Sequence, residues 1–279
     1  MSSSNYNTLT NNEANSNVQI GIHLLYSCNH NIIENNIVSS NDDRGIDLSG
    51  ENNYNLLTNN VANSSYRGIH MGSSNYNTLT ENNVSLNSDY GVDMEGSDNN
   101  TLTENTVKSN GMGISLWCSD NNTITCNMIQ NNEHYGFYCY IEAIGNNISY
   151  NNIIANGDYN GTSGGWEWQF YNYNDPSNLV EAKHNYWGAG MSNSTIDASI
   201  YDEEWWSGKV EFCPFETDPV PCAPISGLPA FTTADAVIAL QIAVGSREYD
   251  PELDINSDGR VTALDALMIL QAAETPEVG

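Results

Sequence analysis

Three groups of residues in this chain have types and spacings that could do chemistry. The first follows a recurring glycine. The phrases GIHL (21–24), GIDL (45–48), GIHM (68–71), GVDM (91–94), GISL (113–116) and GFYC (136–139) put His23, Asp47, His70, Asp93, Ser115 and Tyr138 in equivalent places. Stacked as strands ~4.8 Å apart on an open face, alternating His and Asp could bind a metal or form an acid–base pair. Arg44 and Arg67, each just before the glycine, would neutralise an acidic sugar beside them. The alternative is plainer: a parallel sheet stacks whatever its strands contain, and alternating His with Asp keeps like charges apart.

The second group lies in Asp254–Asp265, where oxygen side chains fall at loop positions 1, 3, 5, 9 and 12 and Gly259 falls at position 6. Ca2+ takes six to eight oxygen ligands, and this spacing wraps a short loop around one ion with the glycine at the sharp turn. Asp254, Asn256 and Asp258 would bind through side chains and Arg260 through its carbonyl. Thr262 would bind directly or through water, and Asp265 would close the site. The third group is aromatic: Trp166, Trp168, Tyr171 and Tyr173 in the stretch 158–178. Such rings either stack on sugars in a glycan site or cap the open end of a repeat array.

The elements that must position these residues are repeats. NTLTNN (7–12), NIIENN (31–36), NLLTNN (55–60), NTLTEN (77–82), NTLTEN (100–105), NTITCN (122–127) and NNISYN (146–151) recur every 22 to 24 residues, in step with the glycine phrases. Within a phrase, apolar and polar residues alternate, as in Ile69, His70 and Met71, which is the period of a strand with one buried face. Asn and Gly between strands suit tight left-handed corners. Of 43 asparagines, 42 lie in residues 1–195, and equivalent amides stacked coil on coil would form hydrogen-bonded ladders. We therefore expect a mainly β protein: a right-handed parallel β-helix of about seven to eight coils over 1–190, a capping layer and linker over 191–222, and a small helical module over 223–279.

The NTLTEN and GI-x-L phrases, with NYWG at 185–188, resemble the NosD-like parallel β-helix repeats, relatives of carbohydrate-binding and sugar-hydrolase β-helices. The resemblance implies the fold and not an activity. The C-terminal segment resembles a dockerin, because ALDALMILQAA (263–273) nearly copies TADAVIALQIAV (233–244) beside the calcium loop. This implies docking onto a cohesin-like domain of another protein. Pro224, Ser226 and Leu228 stand where a first calcium loop would have its early ligands, so that loop should be empty. The two helices should bury Val237, Leu240, Ile242, Leu267 and Leu270 together.

A formal charge of -28, with only seven basic residues, would repel phosphate backbones and argues against nucleic acid as a partner. No apolar run is long enough to span a bilayer. Met1 leads straight into repeat-like sequence without a secretory leader, so we expect a fragment of a longer protein. Cys213 and Cys222, flanking a Pro-rich turn, look like a local disulfide in an oxidising, extracellular setting. Acid excess, repeat style and a degenerate dockerin together resemble archaeal surface proteins. We expect an extracellular scaffold or adhesive module rather than an enzyme. The alternatives are a carbohydrate-binding module and a polysaccharide lyase or hydrolase using the His23–Asp93 face.

Overall fold

The computed structural model describes residues 1–160, 165–202, 207–224 and 233–247, together with 253, 260–263 and 266. The repeats stack as a parallel β-helix with three long sheets of nine, six and eight strands. Equivalent phrases pair in register. Ile46, Asp47 and Leu48 lie beside Ile69, His70 and Met71, which lie beside Val92, Asp93 and Met94. The nine-stranded sheet extends past the last repeat through Val180–Glu181 and Val210–Glu211.

Alternation within each strand builds the core. Leu24, Leu48, Met71, Met94, Leu116 and Cys139 form one buried column; Ile33, Leu57, Leu79, Leu102, Ile124 and Ile148 form another. Burying each such side chain contributes about 2 kcal/mol, and stacking makes that burial continuous along the solenoid. Asparagine fixes the turns from within. Asn12, Asn36, Asn60, Asn82, Asn105, Asn127 and Asn151 each donate Nδ2 to the next member's Oδ1, at 2.9–3.1 Å, and the run ends on Asn185. Most members also donate to a carbonyl of the preceding coil, as Asn82 does to Leu57 at 2.9 Å. Buried amide groups are thus satisfied between coils.

Two local expectations change. The left-handed corner just before this ladder is Asn at 11, 35 and 59, but Glu81, Glu104, Cys126 and Tyr150 take the same conformation later. Ladder hydrogen bonds on the next residue hold the corner, so Asn is not required there. The glycine of each GI phrase is no corner residue either. A Cβ on Gly68 would sit 2.6 Å from the Gly91 carbonyl oxygen and 2.7 Å from Asn87 Nδ2, so glycine is there because successive coils approach closely.

The disulfide joins Cys126 to Cys222, with Cα atoms 5.1 Å apart, and Cys213 is a free, exposed thiol. The expected Cys213–Cys222 pair is therefore wrong. Cys213 follows the strand Val210–Glu211 on the nine-stranded sheet. The chain then crosses to the neighbouring sheet, where the Val220 amide donates to Asn152 Oδ1 and Val220 and Ala223 pack with Met128, Ile154 and Tyr186. That path delivers Cys222 to the corner at Cys126.

The chain divides into two compact units, Met1–Trp187 with Met191–Pro224, and Gly188–Gly190 with Ile225–Gly279. Residues 191–224 thus add to the β-helix. In the second unit, helix Thr233–Ala243 buries Ala236 and Ala239 against Leu253, Val261 and Ala266, with Ile238 and Ile242 partly buried. Val237 and Leu240, expected inside, are exposed, because the small alanines let the neighbouring segment sit close on the opposite face. Leu267 and Leu270 lie outside the described residues.

Candidate functional site

The outward face of the eight-stranded sheet carries the candidate residues. Pairing register aligns His23, Asp47, His70, Asp93, Ser115, Tyr138, Tyr171 and Tyr201 in one column. Beside it runs a second column, Leu25, Ser49, Gly72, Glu95, Trp117, Tyr140 and Tyr173. On the other side Arg44 pairs with Arg67, and Tyr90 pairs with Met112, which pairs in turn with Tyr135. The face is charged over its first four rungs and aromatic over its last.

The charged stretch is covered rather than open, which corrects the expectation of an exposed ladder. Asp47, His70 and Asp93 are 0%, 3% and 2% exposed. Their neighbours close over them. Asp47 accepts hydrogen bonds from His70 Nδ1 at 2.7 Å, Ser49 Oγ at 2.7 Å and Arg44 at 3.2 Å. Burial pushes its carboxyl up, but the hydrogen bonds from His70 and Ser49 and the charges of His70 and Arg44 outweigh it and leave the pKa below the usual value. Arg67 reaches Asp93 at 2.6 Å and Glu95 at 3.3 Å, and its guanidinium lies over the rings of Tyr90 and Tyr66, 5.2 and 5.9 Å from their centroids. For Asp93, burial dominates over Arg67 and holds its carboxyl above the usual range. Both arginines expected to meet an acidic sugar are thus already paired. His23 Nε2 comes within 3.0 Å of Asp47 Oδ2 but in a direction that makes no hydrogen bond. His70 Nε2 also makes none; it faces Glu95 Oε2 at 3.8 Å and Asp93 Oδ2 at 4.0 Å.

The aromatic stretch is a half-buried sheet of rings. Tyr171 stacks on Tyr201 at 4.3 Å between centroids, Tyr140 on Tyr173 at 5.5 Å, and Tyr138 on Tyr135 at 5.4 Å. Trp168 stands edge-on to Tyr171 and Tyr201, and Trp117 edge-on to Tyr140. Burial pushes the Tyr171 phenol up to about 12 and raises that of Tyr138 further. Of the four aromatic candidates, Trp168, Tyr171 and Tyr173 come together here. Trp166 does not: it packs against Met128, Ile154, Tyr186, Val220 and Ala223.

Sequence reasoning missed a second aromatic column. Tyr6, His30, Tyr54 and Tyr76 stack at 4.9, 5.1 and 5.0 Å along a corner, with Tyr6, Tyr54 and Tyr76 exposed. Its signal was available, since each lies just before the next repeat phrase. Of the residues expected to bind calcium, Arg260 and Thr262 are described; Asp254, Asn256, Asp258 and Asp265 lie outside the described residues.

Fold and face together define a parallel β-helix protein that carries its distinctive side chains on one sheet. The chain belongs to the NosD family: the family model described as periplasmic copper-binding protein (NosD) matches residues 1–93 and 38–191. Searches of curated proteins and of solved structures each returned no significant match. Among the described residues no helix is long and apolar enough to cross a membrane.

Proposed function

We propose that the chain is an extracytoplasmic, non-catalytic adhesive module that binds glycans on the aromatic stretch and is attached through its C-terminal module. The observation that carries this is the partly exposed surface of stacked rings over the last rungs, Trp117, Tyr138, Tyr140, Trp168, Tyr171, Tyr173 and Tyr201. Flat rings present apolar faces to sugar C–H surfaces while their hydroxyls offer hydrogen bonds. Against an enzyme stands the charged stretch, whose acids and arginines are engaged with one another. A disulfide and the family's periplasmic description support a location outside the cytoplasm.

Attachment rests on the dockerin-like sequence, with Ca2+ held by Asp254, Asn256, Asp258, Arg260, Thr262 and Asp265 and a cohesin-like domain or other surface protein as partner. Exposed Val237 and Leu240 on the first helix, with exposed Val244 just past its end, offer apolar surface to such a partner. Replacing Asp254 and Asp258 by Ala should remove calcium-dependent stabilisation of the module and leave β-helix melting unchanged. A double variant that still binds calcium would reject the site.

The glycan reading is tested on an array with calcium present, alongside assays for new reducing or unsaturated ends. Binding without cleavage, lost in Tyr138→Ala with Tyr171→Ala, is expected. Cleavage, or no binding at all, contradicts it. Copper binding, the property in the family's description, is a second reading. The residues present fit that ion on one observation: the buried, unpartnered Nε2 of His70 faces two carboxylates, a nitrogen–oxygen donor set suited to Cu2+.

A further inference from the structure

We propose that His70, Asp93 and Glu95 hold one divalent transition-metal ion on the outward face, beside the space that Gly72 leaves free of a side chain. The ligand atoms lie within 4.8 Å of one another. His70 Nε2 is 3.8 Å from Glu95 Oε2 and 4.0 Å from Asp93 Oδ2. These separations are too long for hydrogen bonds, which run at ~2.7–3.2 Å. They suit donors that share an ion at bonds of ~2.0–2.2 Å.

The imidazole is oriented for the task. Asp47 accepts from Nδ1 at 2.7 Å, which places the ring proton there and leaves the Nε2 lone pair aimed at the two carboxylates. A lone pair facing anions is repelled unless a proton or a metal cation stands between them, and the metal is the cation proposed here. The His70 side chain is 4% exposed and Nε2 has no hydrogen-bond partner, while the Arg67 guanidinium, which holds Asp93 Oδ2 at 2.6 Å and Glu95 Oε1 at 3.3 Å, makes no bond to the ring and would share Asp93 with the ion. A carboxylate behind a histidine is a recurring way to fix the tautomer and strengthen a metal ligand. Asp47, Asp93 and Glu95 stand around the ring, and the two arginines beside them, Arg44 and Arg67, also face Asp43 and Asp89, so acids outnumber arginines five to two in this network. The local charge favours another cation.

Gly72 keeps the space beside the ring free of a side chain. It neighbours His70 on the next outward column, and a Cβ there would lie 3.2 Å from His70 Cε1 and 3.8 Å from both Nε2 and Ser49 Oγ. Its backbone φ is not in the region that demands glycine. Ser49 and Glu95 flank it in register, so a side chain at this position would press on the ring edge between them. One imidazole with two carboxylates and no sulfur selects borderline divalent ions over Cu+, and Cu2+ should bind most tightly. Ca2+, which wants six to eight oxygens, should bind poorly.

This assignment deepens the copper reading by giving it residues. Its test uses the full chain, stripped with chelator and titrated with CuSO4, with ZnSO4 and CaCl2 in parallel. Wild type should take up one tight Cu2+ equivalent with a single-imidazole electron paramagnetic resonance signature. His70→Gln and Glu95→Gln should lose it, and Asp47→Asn should weaken it about 10–100-fold. Gly72→Val should block it, whereas His30→Gln should leave it intact. Crystals soaked in Cu2+ give a readout independent of variant folding, since anomalous density should lie at His70 Nε2. Tight copper unaffected by these substitutions, or density elsewhere, overturns the site while the copper reading survives. No tight copper or zinc at all overturns both, and leaves the glycan reading untouched.

Discussion

Two stretches of one outward column share backbone, sheet and register but differ in almost everything else. From His23 to Asp93 the side chains fold onto one another as ion pairs, and Asp47, His70 and Asp93 disappear from solvent. From Tyr138 to Tyr201 they stack as rings that remain half exposed. Ser115 marks the change. The difference teaches that inward residues specify this solenoid, while outward positions are free to carry a closed polar network in one place and a contact surface in another.

Several experiments would break or sharpen that contrast. The largest effect should come from the Cys126–Cys222 bond, which anchors the chain that closes the aromatic end. It spans 96 residues, and Cys126→Ser with Cys222→Ser should cost about 4 kcal/mol in urea unfolding. A loss under ~1 kcal/mol would show that the final layer holds itself.

Next is Arg67→Ala, which strands the buried Asp93 carboxylate and should cost about 3 kcal/mol. Tyr138→Ala, in the same column but half exposed, should cost about 2 kcal/mol. If the ranking reverses, the charged stretch is looser than its contacts imply. The smallest effect is alkaline. Tyr171 ionises near 12 in the fold and near ~10 in an unfolded chain. The fold therefore favours the neutral phenol: its contribution is whole below pH ~10 and lost as pH rises towards ~12. Absorbance at alkaline pH should show delayed phenolate formation, shortened in Tyr138→Ala. Ionisation near pH 10 in wild type would mean that the rings are not packed as described.

The repeat made most of the fold legible. Phase-locked phrases gave the strand register, and alternation named the core, because both follow from one period and one buried face. What was hidden depends on neighbours across rungs. That His70 is covered follows from Asp47 one coil before and Asp93 and Glu95 one coil after, which sequence spacing aligns but does not orient. Cys126 and Cys222 meet only because the chain returns along a different sheet, so proximity in sequence pointed wrongly to Cys213. The aromatic stretch was half legible: Tyr171 and Tyr173 were singled out, but their partners Tyr138 and Tyr140 sit inside an ordinary repeat.

Hydroxyl-radical footprinting of the intact chain, with and without an oligosaccharide that the array selects, tests the division of the face most directly. Protection should fall on Trp117, Tyr138, Tyr140, Trp168, Tyr171 and Tyr173, with His23 unchanged. Protection centred on His23, or none on the aromatic rungs despite binding, would contradict the account.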